Sequence, residues 1–137
     1  MKSRGEGRSG FPGRGLLWQL WADDGTVAEI TYPQVSFQAA REIAEGRRDR
    51  DILVCGTGIG TAIAASKIPG IRAATAHDLV TVRGAVENYD AQILCMGQNV
   101  IAPTAARALV DLWLDLRHDP ASAYGEKLEE IRAFEEG

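Results

Sequence analysis

The sequence has no apolar run approaching the roughly 18–20 residues needed to cross a bilayer, and its N-terminus lacks the apolar core of a secretory signal. A membrane span and export are therefore not expected, and a cytoplasmic protein is. Positive charge is not in excess either. The 137 residues carry a formal net charge of −4, without the clustered basic face that nucleic acid or an anionic membrane surface requires. Small molecules remain as the expected partners. Cysteine is scarce: the two present, Cys55 and Cys95, sit in apolar, strand-like contexts without CxxC or CxxH spacing. That argues against a disulfide framework and a zinc site, and suits a reducing compartment. There is no internal repeat or heptad array, no GxGxxG and no P-loop Lys-Ser/Thr. With 45% hydrophobic residues the chain is long enough for one core and too short for two.

The opening MKSRGEGRSGFPGRG is rich in glycine and arginine and lacks periodicity, so residues 1–15 read as disordered and 16–137 as a single domain. LLWQLW, residues 16–21, predicts a short buried strand followed by a turn at Asp23-Asp24-Gly25. Val35, Ala39, Ile43 and Ala44 recur at helical spacing up to Gly46, a C-cap. Residues 51–54 predict a strand, 56–60 a loop and 61–67 a helix stopped by Pro69-Gly70. A strand over 71–75, a helix over 78–89 and a strand over 91–96 follow, then helices over 102–116 and 124–136. Short buried strands alternating with amphipathic helices predict an α/β fold, a mainly parallel sheet covered on both faces.

Such sheets bind ligands at the carboxyl ends of their strands, which is where Cys55-Gly56-Thr57-Gly58-Ile59-Gly60 falls. Glycines at alternate positions permit positive φ and close backbone approach, and the following helix aims its free amides into the same space. The loop reads as an anion cradle or as tight strand-to-helix packing. Cys55 has two readings as well. A thiol beside a helix N-terminus favours its thiolate and can serve as base or nucleophile, whereas free cysteine commonly packs as a small hydrophobe. The first reading requires the sulfur to be uncovered at the lip of the loop. Cys95, between Leu94 and Met96 in mid-strand, reads as structural.

YPQVSFQAAREIAEG, DILVCGTGIGTAIAASKIPGIRAATAHD and NYDAQILCMGQNVI together resemble the ribose-5-phosphate isomerase B / galactose-6-phosphate isomerase family. The resemblance implies a Rossmann-like three-layer sandwich and metal-free, cofactor-free aldose–ketose isomerisation of a phosphorylated sugar, as in the pentose phosphate pathway. It also implies a homodimer or homotetramer with active sites shared between subunits. Cys55 would move a proton between neighbouring carbons through an enediolate. The amides of Gly56, Gly58, Ile59 and Gly60 would hold the negative charge, Thr57 would handle oxygen-bound protons, and Tyr32 would line the pocket.

Three departures stand out. The family's first strand, ending in a D-H-A-G-type motif, and the helix after it are missing. That strand lies between the second and third in the family's sheet, so its loss leaves a gap with unpaired backbone groups unless the two strands close up or a neighbouring chain fills in. Asn88 occupies the position of a ring-opening histidine, and an amide cannot shuttle protons near neutral pH. That suits a substrate too short to cyclise, such as a four-carbon keto-sugar phosphate. Asp90, after it, remains as a site residue or a cap. Two phosphate-binding arginines correspond to Ala123 and Lys127, and Lys127 reads either as a phosphate cation or as a solvated charge. His77 reads as a pocket residue or as packing beside a helix-capping Asp78, His118 as a solvated helix-end residue, and Arg72 as structural or interfacial. Two functions stay open: a sugar-phosphate isomerase with Cys55 as base, or a non-catalytic subunit that binds a phosphosugar or an active paralogue.

Overall fold

The computed structural model describes residues 4–8, 17–21 and 31–137. Strands β1 (Arg4–Arg8), β2 (Leu17–Trp21), β3 (Asp51–Cys55), β4 (Ala73–Thr75) and β5 (Ile93–Gly97) form one sheet in the order β1-β2-β3-β5-β4. β1 runs antiparallel to β2, and the other pairings are parallel. Helices α1 (Tyr32–Ala44), α2 (Ile59–Ala65), α3 (Leu79–Glu87), α4 (Pro103–Asp115) and α5 (Gly125–Glu136) account for all five predicted helical segments. No helix among the described residues is long and apolar enough to cross a membrane.

β5 lies between β3 and β4 and is buried along its whole length, so its residues alternate between two cores. Ile93 and Cys95 join Leu53 beneath α1 and α2, whose contacts are mostly alanine: Ala39, Ala40, Ala62 and Ala65. Small side chains let these helices approach the sheet closely. Leu94 and Met96 join Ile52 on the opposite face, against Val82 and Val86 of α3 and Trp113 of α4. Truncating a fully buried side chain such as Trp113 typically costs about 3–5 kcal/mol. Arg50 ties down the end of α4 by donating to the carbonyls of Trp113 (2.7 Å) and Leu116 (2.6 Å).

Of the outcomes open for the gap beside β3, the strands close up: β2 pairs directly with β3, from Leu17 opposite Asp51 to Leu20 opposite Val54. An unpaired buried backbone group costs roughly 1–3 kcal/mol, and this pairing removes that cost along the edge of β3. One expectation changes. Within the segment read as disordered, Arg4–Arg8 forms β1. Ladder pairing uses backbone groups alone, so glycine- and arginine-rich residues can supply an edge strand without apolar periodicity. The rest of that segment, residue 16 and the turn at residues 23–25 lie outside the described residues.

Helix starts follow their capping residues. Thr31 and Gln34 form a reciprocal capping box on α1. Asp78 caps α3, accepting from the Thr81 amide at 2.8 Å and the Thr81 hydroxyl at 3.0 Å. Those hydrogen bonds, the amide's first, hold the Asp78 carboxyl below its ordinary value. Arg72, just before β4, donates to the carbonyls of Tyr89 (2.9 Å) and Asp90 (3.0 Å) and pairs with the Asp90 carboxylate. It has the structural role expected for a half-buried guanidinium, pinning the turn in which Asp90 takes a φ of +50°.

Candidate active site

β3 delivers Cys55 to the carboxyl edge of the sheet, and the chain then doubles back into α2 through Gly56-Thr57-Gly58. The turn depends on Gly58, whose φ is +81° and where a Cβ would lie 2.9 Å from the Met96 carbonyl carbon. Both the backbone conformation and the space exclude a side chain. The turn points the Gly58 amide at the Cys55 sulfur, 3.1 Å away.

The next peptide is held at both ends. The Gly58 carbonyl accepts from the hydroxyls of Thr75 (2.7 Å) and Thr61 (3.3 Å), while the Ile59 amide donates to Thr57 Oγ1 at 3.2 Å. Further along the first turn of α2, the amides of Gly60 and Thr61 have no intrahelical acceptor, as at any helix start. The loop rests on the end of β5: the Gln98 amide donates to the Cys55 carbonyl (2.8 Å) and the Asn99 amide to that of Gly56 (3.0 Å). Gly97 lies so close beneath that a Cβ there would come within 2.5 Å of the Thr57 carbonyl carbon.

The sulfur is not at an open lip, as the catalytic reading expected. Cys55 is 7% exposed, because the left-handed turn at Gly58 folds the loop back over it. Thr61 Oγ1 lies 3.6 Å from the same sulfur. Burial pushes the pKa of the second thiol, Cys95, up to about 12, which keeps it neutral.

Of the residues singled out in the sequence, Cys55, Gly56, Thr57, Gly58, Ile59, Gly60, Tyr32 and His77 come together at this edge. Tyr32, the first residue of α1, lays its ring on Gly60 so closely that a Cβ would fall 2.6 Å from Cε1. His77 follows β4, and its Nε2 accepts the Gly97 amide at 2.8 Å. Asn88 and Lys127 do not join them. α3 runs back from the carboxyl edge and ends at Asn88, near the start of β5, and Lys127 lies exposed on α5. There the rings of Tyr89 and Tyr124 meet edge to face, 5.7 Å apart, linking the Asn88 turn to the start of α5. His118, read as solvated, is half-buried and hydrogen-bonded through Nδ1 to the Glu87 carbonyl at 2.8 Å.

Thr61 and Thr75 were not singled out. Thr61 is 2% exposed, a hydroxyl among the alanines of α2 facing the sheet, and that polar residue in an apolar stripe was the available signal. Nothing in the sequence marks Thr75, whose role comes from the β4–β5 pairing.

The family model described as Ribose/Galactose Isomerase matches residues 21–131. D-erythrulose-4-phosphate isomerase 2 of Mycolicibacterium smegmatis is 50% identical over 112 residues, covering 81% of this chain and 74% of the relative. D-erythrulose-4-phosphate isomerase of Pectobacterium atrosepticum is 36% identical over 122 residues, covering 89% and 80%. The solved ribose-5-phosphate isomerase B of Clostridium thermocellum superposes with a TM-score of 0.74 at 34% identity, covering 78% of this chain and 72% of that one. A Rossmann-like sheet with CGTGIG at its carboxyl edge and a family match over most of its length places this chain among the sugar-phosphate isomerases: it belongs to the ribose/galactose isomerase family.

Proposed function

We propose that this chain interconverts an aldose and a ketose phosphate with Cys55 as the base. As thiolate, Cys55 takes the proton from the carbon beside the substrate carbonyl. The electron pair left behind forms the carbon–carbon double bond of an enediolate, and the negative charge moves to oxygen. The thiol then returns the proton to the neighbouring carbon, while the hydroxyl proton of the first carbon passes to the former carbonyl oxygen, by way of the Thr57 hydroxyl, so that the new carbonyl forms. Oxidation of one carbon and reduction of the other balance within the substrate, so no external oxidant enters. The cover over Cys55, which is 7% exposed, weighs against this reading, because a substrate carbon must reach the sulfur; the hydrogen bond from Gly58 to that sulfur supports it. The first-turn amides of α2 supply donors for the enediolate oxygen, each such donor typically worth about 3–4 kcal/mol. Thr57 Oγ1 accepts from Ile59, leaving its own hydrogen to donate toward a substrate oxygen.

A four-carbon sugar phosphate suits the remaining residues. With O4 esterified, a tetrose phosphate cannot close a five-membered ring, so no ring-opening acid is needed and the amide of Asn88 suffices. The 50% identity to a D-erythrulose-4-phosphate isomerase supports the same substrate class. Because Asn88 and Lys127 lie at the edge away from Cys55, a homodimer or homotetramer would complete each site with these residues from a second copy. The substitutions at positions 88 and 123 also suit a second reading, in which the chain serves as a subunit beside an active paralogue.

The test is turnover by the purified full chain of D-erythrulose 4-phosphate, ribose 5-phosphate and galactose 6-phosphate. The tetrose should be converted at least about 10-fold faster than the others, and Asn88→His should raise pentose turnover by about 10-fold or more. No turnover of any of the three would overturn the isomerase reading for the chain alone. Activity that appears only with a related second chain would establish the subunit reading.

A further inference from the structure

β4 and β5 pair through three rungs, Ala73 with Ile93, Ala74 with Leu94 and Thr75 with Cys95, and the Ala76 amide then donates to the Cys95 carbonyl. There the chain leaves the sheet for α3. The next amide of β5 in that ladder, that of Gly97, meets no β4 carbonyl and donates instead to the His77 ring at 2.8 Å. An imidazole thus replaces the final rung, at the residue on which the Cys55 loop rests. Gly97 has the Gly56 carbonyl oxygen and the Thr57 backbone packed where a Cβ would be, and its own carbonyl takes the Val100 amide at 2.9 Å. Neighbouring amides hold the carbonyls of Cys55 and Gly56. A shift of Gly97 is therefore transmitted to the peptide whose N–H faces the sulfur.

We infer that His77 is a positioning residue for the Cys55 loop, acting through the Gly97 amide rather than by touching substrate. The inference rests on the isomerase reading for its effect on turnover, but not for its effect on the loop. Accepting a hydrogen bond at Nε2 requires the tautomer with its proton on Nδ1, and the doubly protonated ring has no acceptor left. The ionisable group beside it is Asp78, which carries the α3 cap and whose carboxyl feels the ring's charge. Glutamine can present an acceptor oxygen near the place of Nε2. Alanine cannot.

The experiment compares the full chain with His77→Ala and His77→Gln. Loss of loop alignment in His77→Ala should lower kcat for the tetrose phosphate by about 10- to 100-fold. KM should stay within about threefold, since the change acts on the reacting geometry. Hydrogen exchange at the Gly97 amide should speed up in the same variant. His77→Gln should restore both the protection and most of the kcat. In the wild type, Gly97 protection should fall as the ring protonates, and in His77→Gln it should not, a difference that a packing role alone would not produce. Unchanged Gly97 exchange in His77→Ala, or folded His77→Gln without recovery of Gly97 protection, would overturn the inference. If the wild type turns over no sugar phosphate, the isomerase reading fails, and Gly97 exchange with the native alkylation rate of Cys55 still decides the role of His77.

Discussion

Cys55 and Cys95 lie on adjacent strands, two rungs apart, since Cys55 pairs with Gly97 and Leu53 with Cys95. Both are buried, at 7% and 0% exposure. Each is preceded by apolar residues, but a glycine loop follows Cys55 while Leu94 and Met96 bracket Cys95. Cys95 sits in mid-strand under α1 and α2, where desolvation raises its pKa and keeps the thiol neutral. Cys55 is the last residue of its strand, where the backbone stops pairing sideways and one amide turns to face the sulfur. The two sulfurs differ in position: one lies at the end of its strand facing an amide, the other in mid-strand beneath two helices.

The largest break in that contrast should come from Gly58→Ala. A left-handed φ costs an ordinary residue about 1–2 kcal/mol. Overpacking against the Met96 backbone adds about 1–3 kcal/mol. The Gly58 amide would also lose its aim, so turnover should drop by about 100-fold, measured beside denaturant unfolding of the same variant. Turnover close to wild type would mean that the amide contributes nothing to Cys55.

Native alkylation sharpens the comparison. Iodoacetamide near neutral pH should modify Cys55 at least about 100-fold faster than Cys95, read by peptide mass spectrometry. Equal rates would erase the distinction.

A smaller effect is expected at high pH. The folded-state pKa of Cys95, about 12, lies above its ordinary value of 9.0. Between these values the unfolded chain releases a proton that the folded chain retains, so stability falls as pH rises above about 9. Cys95→Ala should have a lower melting temperature at neutral pH and a shallower decline through that window. A parallel decline in both proteins would remove Cys95 from the alkaline loss.

Much of this architecture was legible in the chain. Apolar strands between amphipathic helices, Asp78 as a cap, and Gly46 and Pro69-Gly70 as stops predicted the element order, and alternate glycines after Cys55 located the candidate site. What escaped notice depends on tertiary contact. The covering of Cys55 follows from the hand of the turn at Gly58, which a glycine permits in either sense. His77 at the end of the β4–β5 ladder and Thr75 on the Gly58 carbonyl require knowing which strands are neighbours. The pairing of β2 with β3 uses backbone groups that carry no side-chain signature. Asn88 and Lys127 were assigned by family position, which says nothing about the edge of the sheet they occupy within one protomer.

Deuterium incorporation from heavy water into the carbon-bound position of D-erythrulose 4-phosphate tests the role of Cys55 most directly. Wild type and Cys95→Ala should exchange at rates within about threefold of each other. Cys55→Ala, folded as judged by its melting transition, should lose about 100- to 10,000-fold. Exchange that persists in Cys55→Ala at the wild-type rate would contradict the account, because the proton would then be moved by some other group.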